Sequence, residues 1–119
     1  MNSTIIAIPS SHPGGLDAAL GAHFGHCDLY TLVKIADGKI EEIATLPNVP
    51  HQQGGCMAPV NHLAQNGVKV LIAGGMGRGA YERFRSLGIR PIVTELPDVD
   101  AAALASAAGT LVDHTEQLH

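Results

Sequence analysis

The sequence is organised around residues 68–80, which run Val68-Lys69-Val70-Leu71-Ile72-Ala73-Gly74-Gly75-Met76-Gly77-Arg78-Gly79-Ala80. The first half of this segment is almost continuously apolar and is β-branched at three positions. Such a run predicts a strand that is buried on both faces, as in a parallel sheet covered by helices. Glycine tolerates positive φ and lets the backbone approach another group closely. The four glycines therefore predict a tight turn at the carboxyl end of the strand.

A helix is predicted directly after this turn, over residues 80–87. Tyr81, Phe84 and Leu87 are spaced for one helical face, and Gly88 is typical of a helix stop. The N–H groups and the partial positive charge at a helix N-terminus suit an anion, and Arg78 adds a full charge inside the turn. The simpler interpretation is a turn that only returns a helix to the sheet.

The whole chain has the composition of one globular domain. Of its 119 residues, 45% are hydrophobic and 15% are charged, which excludes a disordered or coiled-coil chain. The formal charge of -4 argues against nucleic-acid binding, which requires a basic face. The sequence contains no apolar run of the roughly 20 residues that span a membrane, and no basic signal-peptide region. We therefore expect a cytoplasmic protein that binds neither nucleic acid nor membrane.

The rest of the chain predicts an α/β fold with a mixed five-stranded sheet flanked by helices. The first strand is expected to be central and to stop at Pro9, and Asp37-Gly38 predicts a hairpin turn. Asp98 or Asp100 is expected to cap an alanine-rich last helix.

The predicted elements are strands over 4–8, 29–35, 39–46, 68–73 and 90–94, and helices over 56–66, 80–87 and from the cap to about 109. Their order predicts an antiparallel and a parallel side of the sheet, in one domain over 1–109 with a polar tail over 110–119.

Three loops hold the residues that are suited to binding chemistry. They are His23-Phe24-Gly25-His26-Cys27, His51-Gln52-Gln53-Gly54-Gly55-Cys56 and the glycine turn Gly74–Gly79. Thiolate and imidazole suit zinc, copper, iron or metal–sulfide clusters, but no Cys-x-x-Cys zinc signature occurs. Cys56 lies at a predicted helix N-terminus, where a thiolate is favoured. The alternative is that both cysteines act as small hydrophobic residues and that the histidines are solvated.

Catalysis is not indicated by the sequence. A two-metal nuclease needs carboxylates at the centre of the sheet, and the strand over 4–8 contains none. Ser10 and Ser11 lack the context of a nucleophile elbow, and the glycine turn lacks the spacing of a P-loop or a dinucleotide fingerprint. We therefore expect a binding protein and not an enzyme.

Four motifs together resemble a known family. They are Ile5-Ile6-Ala7-Ile8-Pro9, His23-Phe24-Gly25-His26-Cys27, the loop from Pro50-His51 to Gly54-Gly55-Cys56, and Val70-Leu71-Ile72-Ala73-Gly74-Gly75-Met76-Gly77. The chain resembles the dinitrogenase iron–molybdenum cofactor biosynthesis family, which includes NifX-like domains, the C-terminal region of NifB and the orange protein of sulfate reducers. The resemblance implies a ribonuclease-H-like three-layer fold without nuclease carboxylates. It also implies a protein that holds or passes on a metal–sulfur cluster, either an iron–molybdenum–sulfur precursor or a molybdenum–copper sulfide.

Two binding modes stay open. Cys27 or Cys56 could ligate a metal directly, or an anionic sulfide cluster could rest without a covalent anchor on the N–H groups of the glycine turn. The second is favoured because four glycines and an arginine at a helix start suit a polyanion better than a bare cation. The expected cofactor-binding residues are His23, His26, His51, Gly74, Gly75, Met76, Gly77, Arg78 and Gly79, with Cys27 and Cys56 as candidate metal ligands.

The leading hypothesis is a small carrier of a molybdenum-containing sulfide cluster, held where the three loops meet at one end of the sheet. Cofactor-assembly or recipient proteins are its expected partners. One alternative is an interaction module of a metallocluster-assembly or cell-division-type complex, which would bind its partner without metal. Another is a phosphate-ligand sensor that uses the same glycine turn, which a nucleotide titration would reveal.

Overall fold

The computed structural model describes residues 3–11, 14–20, 29–47, 57–96 and 98–109. Within these residues the strands and helices follow the predicted order. The elements are β1 (Ser3–Ser10), β2 (Leu29–Ala36), β3 (Lys39–Pro47), α1 (Met57–Gln65), β4 (Val70–Ala73), α2 (Arg78–Ser86), β5 (Arg90–Val93) and α3 (Val99–Ala108). The predicted polar tail over 110–119 lies outside the described residues.

The strands form one mixed five-stranded sheet in the order β3-β2-β1-β4-β5. The pairs β3–β2 and β2–β1 are antiparallel, whereas β1–β4 and β4–β5 are parallel. The predicted division into an antiparallel and a parallel side is therefore confirmed. β1 lies at the centre of the sheet, as its continuous apolar run predicts.

The prediction that Pro9 stops the first strand is wrong. β1 continues through Pro9 to Ser10, and Pro9 lies opposite Tyr30 on β2. Proline has no N–H to donate to a β-ladder, so within a strand it fits only where no neighbouring strand needs that hydrogen bond. In the described part of the chain, β1 pairs with β4 only at Ile6 and Ala7. Beyond Ala7, β1 therefore has a side on which no hydrogen bond to β4 is needed.

The hairpin between β2 and β3 has the turn that the sequence predicts. Asp37 has a φ of 54° and Gly38 a φ of 74°. A two-residue type I′ turn requires positive φ at both central positions, and Asp-Gly is a preferred pair there.

Helices cover both faces of the sheet, which gives the three-layer, ribonuclease-H-like arrangement that the resemblance implies. On one face, Leu71 and Ala73 of β4 pack with residues of α1 and α2. On the other face, Ile72 packs with residues of α3. Successive strand residues point to opposite faces, so this short run supplies both cores. All three side chains are fully buried, as the apolar run predicts.

Helices α1 and α2 end alike, each on a left-handed glycine. Gly67 and Gly88 both have a φ of 79°. After α2, the N–H of Ile89 donates to the carbonyl of Phe84 at 2.9 Å, and the N–H of Gly88 donates to that of Arg85 at 3.1 Å. This is a Schellman motif, in which glycine avoids the steric cost of the left-handed region. The predicted stop at Gly88 is confirmed, and α1 ends close to the end predicted for the helix over 56–66.

The buried face of α2 differs from the prediction at one position. Phe84 is fully buried and Tyr81 packs against the same core, but Leu87 is 39% exposed. Leu87 is the C-cap, with φ -95° and ψ 5°, so it has left the helical path and no longer follows the helical face. Ala80 is buried on this face instead.

Asp98, and not Asp100, caps the last helix. The N–H of Ala101 donates to Asp98 Oδ1 at 2.7 Å, and α3 ends at Gly109, which has a φ of 75°. None of the helices in the described ranges is both long and apolar enough to cross a membrane.

Candidate functional site

Several segments of the chain meet at one edge of the sheet, the edge at which β1, β4 and β5 end, called here the carboxyl edge. Ser10, at the end of β1, lies opposite Leu29 at the start of β2, and Leu29 lies opposite Pro47 at the end of β3. β4 runs parallel to β1, so Gly74 follows β4 at the same edge. The chain before Leu29 and the chain after Pro47 hold the two His/Cys motifs. Both are therefore attached to the edge that carries the glycine turn.

Five of the predicted site residues lie outside the described residues. They are His23, His26, Cys27, His51 and Cys56. The described residues fix only their points of attachment, Leu29, Pro47 and Met57. Their convergence on the glycine turn therefore stays a prediction.

The glycine turn leads directly into the N-terminus of α2. Gly77 is the N-cap of this helix, with φ -74° and ψ 158°, and no side chain caps it. The first turn of an α-helix leaves its N–H groups without intrahelical acceptors. The carbonyl of Gly77 accepts the first bond of the helix, from Tyr81 N–H at 3.1 Å. The N–H groups before Tyr81 are the ones that a bound acceptor would satisfy.

Among the described residues, neither backbone conformation nor packing requires glycine at Gly77 or Gly79. The expectation that glycine here supplies positive φ is wrong for these two residues, because neither has a left-handed φ. A Cβ added at either position would meet no atom of the described residues within 4 Å. What glycine provides at these positions is an uncovered backbone at a helix N-terminus, where a ligand can approach closely.

Arg78 is the first residue of α2 and its side chain is exposed. The first turn of the helix contains no acidic residue. The guanidinium therefore adds to the partial positive charge of the helix N-terminus, and no neighbouring carboxylate within that turn offsets it. Together these groups suit an anion that carries several acceptor atoms.

Met76 differs from the other predicted residues of the turn. Its side chain is only 2% exposed and belongs to the core between the sheet and the α1–α2 layer. The thioether therefore contributes to packing, and any contact of Met76 with a ligand would come from its backbone. Gly74 and Gly75 are half-buried between the end of β4 and the start of α2.

A buried hydroxyl chain at the carboxyl edge was not found from the sequence. Ser10 Oγ donates to the carbonyl of Ile8 at 2.7 Å and lies 2.8 Å from Thr31 Oγ1, which accepts from Gly15 N–H at 3.1 Å. These contacts attach the segment over 14–20 to the sheet. The available signal was a Ser or Thr in an otherwise apolar strand, which does not identify its partner.

Metal ligands do not cluster within the described residues. In those ranges, no group of three or more His, Cys, Asp or Glu side chains is placed to hold a metal ion. What the described part of the site offers is backbone N–H groups and a guanidinium, which bind acceptors and not bare cations.

The chain is similar in fold to solved structures. The apo form of the orange protein from Desulfovibrio gigas has a TM-score of 0.76 and 23% identity, over 92% of this chain and 92% of that chain. A candidate NifB protein from Thermotoga has a TM-score of 0.73 and 24% identity, over 94% of each chain. At these identities the likeness concerns the fold.

Sequence comparison gives a relative and a family. An uncharacterised protein of Methanocaldococcus jannaschii is 31% identical over 72 residues, which are 59% of this chain and span 61% of that protein. The model of the family described as dinitrogenase iron-molybdenum cofactor matches residues 2–109. This match includes the central strand β1, the glycine turn and the start of α2. By that match, the chain belongs to the dinitrogenase iron–molybdenum cofactor family.

Proposed function

We propose that the protein carries an anionic molybdenum-containing metal–sulfide cluster, bound at the carboxyl edge of the sheet. The observation that carries this proposal is the uncovered N-terminus of α2, where Gly77 and Gly79 have neither a conformational nor a packing role among the described residues. Membership of a family described by the iron–molybdenum cofactor supports a metallocluster as the cargo.

The chemistry of the described groups favours an anionic cargo. A helix N-terminus is equivalent to roughly half a positive charge, and its free N–H groups donate hydrogen bonds to a ligand that has lone pairs. Arg78 supplies further donors that strengthen when the acceptor is charged. A sulfide cluster presents several anionic sulfur atoms, which can contact the turn and the guanidinium together. A bare metal cation would be repelled by the same groups.

The adjoining loops complete the proposed site. His23, His26 and His51 would donate to the cluster from the segments that attach at Leu29 and Pro47, and Cys27 and Cys56 are candidate ligands to its metal. Copper or iron would accompany molybdenum in such a cluster. Because the N–H groups and the guanidinium form no covalent bond, the cluster could pass intact to an assembly or recipient protein. The proposed role is binding and transfer, without catalysis.

The first test is metal analysis with a visible absorption spectrum, on protein purified anaerobically from its native host. Molybdenum in stoichiometric amount with intense charge-transfer bands supports the proposal. Colourless protein without metal from that host contradicts it and favours the interaction module of an assembly complex. Serine variants of Cys27 and Cys56 then separate the binding modes, since a cluster held without covalent anchors survives both substitutions.

A second test uses the tetrathiomolybdate dianion as the probe, titrated into the purified chain. Arg78→Gln should weaken binding, whereas Lys39→Gln, which removes an exposed cation at the hairpin turn, should not. Equal weakening by both variants would indicate general charge attraction and contradict the site. Inorganic phosphate serves as competitor, because a phosphate sensor would use the same N–H groups. Displacement of tetrathiomolybdate at equimolar phosphate would favour that alternative.

A further inference from the structure

The chain is acidic as a whole but carries a strongly basic segment. Residues 69–90 contain five of the seven Lys and Arg residues and a single carboxylate, Glu82, so this segment has a net charge of +4 within a chain of -4. Arg78 belongs to the glycine turn described above. The remaining cations, Lys69, Arg83, Arg85 and Arg90, lie away from that turn.

Two of these cations line a groove between α2 and the edge strand β5. The groove has a volume of about 480 Å³ and is lined by Tyr81, Arg85, Gly88, Ile89, Arg90 and Pro91. Its arginines are exposed, whereas Ile89 and Pro91 are buried and present little apolar surface to the groove. Lys69 lies beside it, because its carbonyl accepts from Arg90 N–H at 2.8 Å. The groove follows the end of α2, on the order of 13 Å along a nine-residue helix from the glycine turn.

Tyr81 positions Arg85, but most of the guanidinium N–H groups of Arg85 can still donate to a ligand. Its Nη1 donates to Tyr81 Oη at 3.1 Å, and its guanidinium lies 5.8 Å from the centre of the Tyr81 ring. A guanidinium has five N–H donors, so most of them remain for an acceptor. The ion pair found among the described residues joins Lys34 to Glu41. In those residues, no carboxylate forms an ion pair with Arg85 or Arg90.

The geometry disfavours two kinds of occupant, an added strand and a compact anion. Arg90 N–H donates to Lys69, the residue before β4, and Thr94 N–H donates to Ala73 at the end of β4, so the intervening odd positions of β5 face outward. Pro91 is one of them and has no N–H, which blocks the addition of a further strand. The helix end at the groove is the C-terminus of α2, whose partial negative charge disfavours a compact anion such as phosphate. Separate carboxylates on one peptide segment match the two spread, exposed cations of the groove.

We propose that this groove binds an acidic segment of a partner protein, with its carboxylates on the exposed guanidinium groups of Arg85 and Arg90. Because the groove lies on the order of 13 Å along α2 from the glycine turn, an acidic partner segment can bind there without covering the turn. Exposed charge contacts are screened by salt, so the interaction belongs to the transient class.

The test is a titration of ¹⁵N-labelled full-length protein with the capped peptide acetyl-Glu-Asp-Leu-Asp-Glu-amide at low ionic strength. We expect saturable shifts of the amide signals of Gly88, Ile89 and Arg90. The double variant Arg85→Gln/Arg90→Gln should bind roughly tenfold more weakly. Its amide spectrum reports at the same time whether the fold is retained.

Three outcomes would overturn the proposal. The double variant Lys34→Gln/Lys39→Gln removes the same charge from the hairpin and should stay within about twofold of the parent affinity. Equal weakening by the two double variants would overturn the proposal, because the attraction would then be general. Shifts elsewhere than in the groove would overturn it as well. Inorganic phosphate that shifts the same signals as strongly as the peptide would overturn it in favour of a small-anion site.

Discussion

The hydroxyl of Thr31 donates to Ser10 Oγ across 2.8 Å and thereby joins β2 to the end of β1. The direction follows from the neighbouring bonds. Ser10 has a single hydroxyl hydrogen, which goes to the carbonyl of Ile8. Thr31 must therefore supply the hydrogen between the two oxygens, while its own oxygen accepts from Gly15 N–H. Both side chains are buried, whereas Gly15 N–H is half-buried.

Replacing Thr31 by valine should destabilise the protein. Valine keeps the shape and the strand propensity, but it leaves Gly15 N–H without its acceptor and Ser10 Oγ without its donor. An unsatisfied buried group costs about 1–3 kcal/mol, and Gly15 N–H is only half-buried, so we expect a loss of about 1–3 kcal/mol in the free energy of unfolding. Urea denaturation followed by circular dichroism measures it.

Thr45→Val is the matched control for this substitution. Thr45 lies opposite Thr31 on β3 and is exposed. The same chemical change there should stay within about 0.5 kcal/mol. Equal losses at the two positions would contradict the role given to the hydroxyl chain.

Asp98→Ala should destabilise α3 through the loss of its N-cap. The carboxylate of Asp98 accepts from Ala101 N–H at 2.7 Å. Removing such a cap costs about 1 kcal/mol, and Asp98→Asn should recover most of it because asparagine caps equally well. Thermal unfolding of the two variants gives the comparison. An asparagine variant as unstable as the alanine variant would show that the cap is not the cause.

The parts of the fold that were predicted correctly have local signals. Asp37-Gly38 specifies its turn within two residues, and Gly67 and Gly88 mark helix ends directly after amphipathic segments. β4 is buried on both faces because α1 and α2 cover one face of the sheet and α3 covers the other, which an unbroken apolar run indicates.

The parts that were missed depend on distant pairing. Ser10 meets Thr31 across 21 residues of chain, and no local pattern identifies that contact. Pro9 stays in a strand because of where the pairing with β4 ends. Met76 was placed in the glycine turn from its neighbours in sequence, but its side chain packs into the core. The groove at Arg85 and Arg90 exists only because α2 returns alongside β5.

Gly79→Ala and Gly88→Ala should change stability in opposite directions. An added Cβ meets no atom of the described part of the chain within 4 Å at either position, so packing there does not decide the sign. Gly79 lies in the first turn of α2 without a left-handed φ, so alanine should stabilise by about 0.5–1 kcal/mol. Gly88 has a φ of 79°, where alanine costs about 1–2 kcal/mol. Chemical denaturation of both variants measures the difference, and a change of the same sign in both would contradict the argument.

The same two variants should separate stability from cluster binding. Cα–Cβ bonds of a helix tilt toward its N-terminus, so a methyl group at Gly79 projects toward the N–H groups proposed to hold the anion. Gly79→Ala should therefore be more stable yet bind tetrathiomolybdate roughly five- to tenfold more weakly. Gly88→Ala, at the other end of α2, should be less stable and bind it normally. Tetrathiomolybdate titration by visible absorbance tests this. If Gly79→Ala binds as tightly as the parent chain, the uncovered helix N-terminus is not where the cluster lies.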